Sequence, residues 1–247
     1  MKAPLLQAVL TGLLALSLTG CAQWVTEGRL EEAPAPESAP GCGAALSPTD
    51  NTKLAAIERL VDEGKPYAAL AQLDALGATA PGARLVRADA LRRIERGPQA
   101  RELYEGLLAT CLSGRAHHGL GLIAARSGQR EASLTHLQKA REALPTDARV
   151  RNDLGYALLL TGQWEAAQFE FLTALDLAPQ DPLASRNLVL LQLKQNRTEQ
   201  ARELATRLGI DDATFAKLQR QAQTDEPTLP LPAPAASAID GTPRSGT

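Results

Sequence analysis

Aromatic residues are scarce in this chain: two Trp, three Tyr and three Phe among 247 residues. A sheet protein of that length wants many more aromatic and β-branched side chains, so an all-β sandwich or barrel is excluded. Charge of one sign is missing too. Lys and Arg number 26 against 28 Asp and Glu, a formal net charge of −2, without the basic footprint of a phosphate-binding surface. Nucleic acid is therefore not an expected partner. His and Cys each occur three times, in none of the spacings that hold a metal, a phosphate or a nucleophile. There is no CxxC, HExxH, GxSxG or GxxxxGK, and no GxGxxG before a helix. No catalytic residue, metal ligand or cofactor is expected, no small-molecule substrate, and no enzyme activity. What abounds is Ala and Leu, 44 and 42 residues. Both are strong helix formers, and they point to an all-α chain.

The apolar run from Leu5 to Leu18 falls short of the roughly 20 residues that a membrane-spanning helix needs. It follows Lys2 and ends in Leu18-Thr19-Gly20-Cys21, so residues 1–20 read as a secretory signal peptide. Leu-Thr-Gly-Cys resembles the lipobox of bacterial lipoproteins. That resemblance implies cleavage before Cys21 and acylation of its thiol and of the new amino terminus. At about 0.8 kcal/mol per buried CH₂, several palmitate-like chains at one site give lasting attachment. Loss of Met1–Gly20 removes Lys2 and leaves 25 − 28 = −3. Ala22 and Gln23 follow the Cys, with no Asp. In enteric bacteria that pattern accompanies outer-membrane sorting, so the expected location is the outer membrane, facing the periplasm.

From Cys21 to residue 50 the chain is rich in Ala, Pro, Glu and Ser, with Pro34, Pro36, Pro40 and Pro48, and shows no helical or strand period. It is expected to be a linker between the lipid and the folded part. Trp24 could sit at the membrane interface or be an idle linker residue. A tail over 224–247 is similar, with Pro227, Pro230, Pro232, Pro234 and Pro243. It reads as a disordered segment, the alternative being a ligand for a groove that binds polyproline helix.

Between these, over 51–223, the sequence repeats itself. An offset of 34 carries Leu120-Gly121 onto Leu154-Gly155, Gly128-Gln129 onto Gly162-Gln163, Glu131-Ala132 onto Glu165-Ala166, Ala140 onto Ala174 and Pro145 onto Pro179. Each unit holds two stretches of about 11–14 residues with apolar residues at i, i+3, i+4 and i+7, the mark of an amphipathic helix. Pro66 and Pro98 stand where a second helix begins, and Gly128 and Gly162 break the chain between paired helices. A unit of 34 residues with Leu154, Gly155, Leu158, Ala167, Phe171, Ala174 and Pro179 in these places resembles the tetratricopeptide repeat (TPR). The match is best over 148–181 and 114–147. It is weaker over 182–209, where Asn196 replaces the turn Gly, and over 81–113, and weakest over 50–80. The resemblance implies a helical-hairpin solenoid of about five units. Asp211-Asp212 opens a further helix, through Phe215 and Leu218, that would cap it.

With Cys21 lipidated, Cys42 and Cys111 remain in an oxidising compartment. They are expected to form a disulfide, the alternative being two separate thiols. His117 falls at an inward position of its helix and is read as packing; its neighbour His118 is turned elsewhere.

In TPR proteins the first helix of each unit lines the concave face. Carried over to this chain, the resemblance implies partner binding by Arg115, His118, Arg149, Asn152, Tyr156, Arg186 and Leu190. Asn152 and Arg186 are the preferred pair, as residues that packing does not need. The carboxylate clamp of TPR chaperone adaptors is not reproduced. The lipobox, Pro-rich linker and short TPR array with Arg-Asn-Asp-Leu-Gly-Tyr at 151–156 resemble the TadD-type lipoproteins of tight-adherence (Flp) pilus assembly. That resemblance implies a pilotin-like scaffold, with the pilus secretin as its protein partner. The alternative is a periplasmic TPR adaptor of cell-wall hydrolases or another envelope complex.

Overall fold

The computed structural model describes residues 41–42 and 46–224. The expected signal peptide, Cys21, most of the linker and the tail from Asp225 lie outside the described residues.

Within them the chain is a succession of helices: α1 (Pro48–Asp62), α2 (Pro66–Leu76), α3 (Pro81–Arg93), α4 (Gly97–Glu105), α5 (Ser113–Arg126), α6 (Arg130–Ala143), α7 (Ala148–Leu160), α8 (Trp164–Leu177), α9 (Pro182–Lys194), α10 (Thr198–Arg207) and α11 (Asp212–Gln223). No strand occurs among the described residues. The helix starts follow their local chemistry. Pro is the first residue of α1, α2, α3 and α9, where its missing N–H costs no hydrogen bond. Ser47, Asp147, Asp181 and Asp211 cap α1, α7, α9 and α11 by accepting from first-turn amides, which satisfies otherwise orphaned donors. The cap at Ser47 starts α1 at Pro48, a little before the boundary expected at 51.

Consecutive helices pair as hairpins, α1 with α2 through α9 with α10, and each odd-numbered helix also touches the next odd-numbered one, up to α11 on α9. The odd-numbered helices thus form one continuous layer, with their hairpin partners against it. Close approach within a hairpin needs glycine. A Cβ on Gly155 would stand 2.7 Å from the Phe171 ring, and one on Gly121 would stand 2.7 Å from Leu137 Cγ. Between helices of each hairpin the backbone turns through the left-handed region at Gly64, Glu95, Gly128, Gly162 and Asn196. Asn tolerates that conformation; Glu does so at a cost of roughly 1–2 kcal/mol.

The core runs along the stack in three clusters: Ile57, Val61, Leu73 and Val86 under the first hairpins; Leu85, Tyr104, Leu107 and Leu120 next; then Leu137, Leu154, Phe171, Leu188, Leu191, Phe215 and Leu218 through to α11. The second hairpin departs from the regular unit. Helix α4 has nine residues, with Gly106 as its C-cap, and a turn-rich stretch carries the chain to α5. Cys111 lies in that stretch, joined to Cys42 by a disulfide with Cα atoms 4.9 Å apart.

Candidate functional site

The layer of odd-numbered helices carries a chain of polar contacts. In α5, Arg115 donates through one guanidinium nitrogen to Glu58 of α1 at 2.5 Å and pairs with Asp89 of α3 at 3.5 Å. Asp89 also accepts from the buried Tyr104 hydroxyl at 2.6 Å, and Arg92 Nε donates to the same hydroxyl oxygen at 3.4 Å. Burial, then the Asp89 carboxylate, pushes the Tyr104 phenol far above its ordinary range, so it remains a hydrogen-bond donor. Further along, His118 Nε2 and Asp153 Oδ2 are 2.7 Å apart. Asn152 Nδ2 donates to Asp153 Oδ1 at 3.3 Å, and Asn187 Nδ2 donates to Asn152 Oδ1 at 2.8 Å. Helices α5, α7 and α9 are thereby cross-linked by side-chain hydrogen bonds.

Beside this ladder is a narrow cleft with room for only about 10 Å³, lined by Ala125, Leu137, Asp153, Tyr156, Ala157 and Leu160, with Arg130 and Ser133 at its polar side. The Ser133 hydroxyl is buried without a hydrogen-bond partner. Gln221 Nε2 of α11 donates to the Tyr156 hydroxyl at 3.4 Å.

No family model matches the chain. A TPR repeat-containing protein of Pseudomonas aeruginosa is 35% identical over 237 residues, spanning 91% of this chain and 93% of that protein. This chain belongs to the TPR repeat-containing proteins. Solved TPR folds agree in architecture. MamA of Desulfovibrio magneticus, residues 41 to the end, superposes with a TM-score of 0.51 at 20% identity, covering 73% of this chain and 100% of that one. YrrB, described as a TPR protein with an unusual peptide-binding site, gives a TM-score of 0.51 at 21% identity over 68% of this chain and 90% of its own.

The residues that the TPR register carried to the concave face divide into two groups. Arg115 and His118 sit on the inner layer, half-buried in the ion pairs above. Arg149 and Arg186 are exposed; Arg149 lies 3.8 Å from Asp147. The other three are covered: Asn152 is 5% exposed, Tyr156 2% and Leu190 1%. Asn152 is thus needed for packing after all, because its amide bridges two neighbouring helices. Leu190 belongs to the core cluster, and Tyr156 lies under the end of α11. Residues missed by the register are Glu58, Asp89, Asp153 and Asn187. For the last two a signal exists: His118 to Asp153 and Asn152 to Asn187 are both spaced by 35, one more than the repeat. His117, read as packing, faces His136 with Nδ1 atoms 3.0 Å apart.

Proposed function

We propose that this TPR protein is a lipid-anchored scaffold of pilus biogenesis of the tight-adherence (Flp) type, holding a segment of the pilus secretin in its inner face at the outer membrane. The observation that carries the partner-binding part is the continuous layer of odd-numbered helices, whose polar ladder is already fixed by its own hydrogen bonds and whose Arg149 and Arg186 are exposed. A preorganised site of this kind spends little ordering free energy on capture. The lipobox-like Leu18-Thr19-Gly20-Cys21 supports the anchor, and the Pro-rich linker supports a fold held away from the lipid. Confinement to a membrane raises the effective concentration of scaffold around a client in the same membrane, which suits assembly of a multimeric ring.

Deletion of the gene and co-isolation from detergent-solubilised membranes test the reading together. The secretin is expected in the co-isolate, and piliation is expected to fall without the scaffold. Normal piliation with no secretin recovered overturns it, and recovery of cell-wall hydrolases instead establishes the adaptor reading.

A further inference from the structure

We propose that the inner face recognises its partner segment by acidic side chains, and that their anchor is an open rung formed by Arg186 of α9 and Lys217 of α11. The proposal rests on the reading of that face as the partner site, and it names the chemistry the partner must carry.

The polar ladder keeps one register from helix to helix. Counted from the N-caps Asp147, Asp181 and Asp211, Asn152 and Arg186 stand five residues on, and Asp153, Asn187 and Lys217 stand six. Each rung joins a sixth residue to the fifth residue of the inner helix before it. Asn187 donates to Asn152, and Asp153 pairs with His118, the counterpart of Asn152 one 34-residue unit earlier. The same count sets Lys217 against Arg186. Helix α11 holds this register although it starts only 212 − 182 = 30 residues after α9. Lys194 and Thr224, each thirteen residues past its cap, are joined by the bond from Lys194 Nζ to the Thr224 carbonyl at 2.8 Å.

Two of these rungs close themselves, imidazole to carboxylate and amide to amide. The third brings together two cations, which repel rather than bond. Both are exposed, and neither makes a hydrogen bond or ion pair among the described residues. The acids that begin these two helices are engaged elsewhere. Asp181 and Asp211 accept from the first-turn amides of α9 and α11, and Asp212 lies 3.7 Å from Arg202 of α10. A carboxylate entering between Arg186 and Lys217 accepts from both and cancels their repulsion, through charge-assisted hydrogen bonds. Arg149, exposed one turn before Asn152 and 3.8 Å from its own cap residue Asp147, extends the positive surface onto α7. The ligand that fits is therefore a segment with several acidic side chains rather than one isolated anion.

The test titrates the full chain in detergent, by fluorescence anisotropy, with a labelled and C-terminally amidated peptide of six Glu-Ala repeats; the matching Gln-Ala peptide is the control. The Glu-Ala peptide is expected to bind, more weakly as salt rises, and the Gln-Ala peptide is not. Arg186→Ala or Lys217→Ala should each weaken binding about tenfold, with helix content by circular dichroism unchanged. Lys217→Glu should close the rung from within, raising the melting temperature by about 1–3 °C and blocking the peptide. Binding that survives Arg186→Ala together with Lys217→Ala overturns the proposal, as does equal binding of the two peptides or no binding of either. A secretin recovered equally by the native chain and by that double variant also overturns the rung, but leaves the proposed function standing. If the Glu-Ala peptide needs the rung and no secretin is co-isolated, the scaffold loses its client while the rung stands.

Discussion

At the scale of single residues, close approach dominates. Gly119 lies against the Tyr104 ring, so that even a methyl group there collides with it. Gly119→Ala is expected to lower stability by about 1–3 kcal/mol, the usual cost of overpacking, as read from urea unfolding midpoints. The opposite is expected at Glu95, the left-handed turn residue of the second hairpin. Glu95→Gly should raise stability by up to about 1 kcal/mol, since the Arg126 contact it loses is an exposed one and worth little. The buried amides behave differently. Asn152→Ala orphans the Asn187 amide, and a loss of about 1–3 kcal/mol is expected; adding Asn187→Ala should cost much less than its own single effect. Independent, additive losses would show that the amide pair is not coupled. Sequence made Gly121 and Gly155 legible, because they recur at the offset of 34, but not Gly119, whose counterpart one unit on is Asp153. It did not reveal the amide pair, since its spacing of 35 reflects how neighbouring helices are shifted against each other, which no single unit encodes.

Two features act at the scale of elements. The α5–α6 hairpin carries His117 and His136, whose imidazoles are both held below the ordinary His range. Burial is the main cause for each, followed for His117 by His136 and Lys139, and for His136 by Lys139 and Arg101, with Glu105 opposing. Because the folded-state pKa is depressed, the unfolded chain takes up protons first as pH falls through about 6.5, and stability drops there. The melting temperature should therefore fall between pH 7.5 and 5.5, and His136→Gln should flatten part of that fall. An identical slope in the variant would remove the pair as the cause. The second feature is the disulfide, which spans 69 residues and closes the first two hairpins into one loop. Replacing Cys42 and Cys111 with Ser is expected to cost up to about 4 kcal/mol through the entropy of the unfolded loop. Equal denaturation midpoints with and without the bond would contradict this. Pairing was legible as an elimination among three cysteines. The early end of α4, which makes room for Cys111, was not, because the unit's period carries on through a stretch where the chain itself leaves the helix.

For the whole molecule, the 34-residue period made the helical-hairpin stack legible together with its terminal helix, since Asp211-Asp212 is a local start signal that needs no tertiary information. Where the inner face stays open was not legible. Position in the unit placed Tyr156 and Leu190 on that face, yet α11 and core packing cover them, and coverage is a property of the assembled stack. We propose that this face, rather than the layer of even-numbered helices, holds an extended segment of an envelope partner. Photo-crosslinking in intact cells tests it most directly, with the probe at Arg186 on the inner layer or at the exposed Gln168 of α8. A single product containing a secretin peptide is expected from Arg186 and none from Gln168. Partner crosslinks from Gln168 alone, or none from Arg186, would contradict binding at this face.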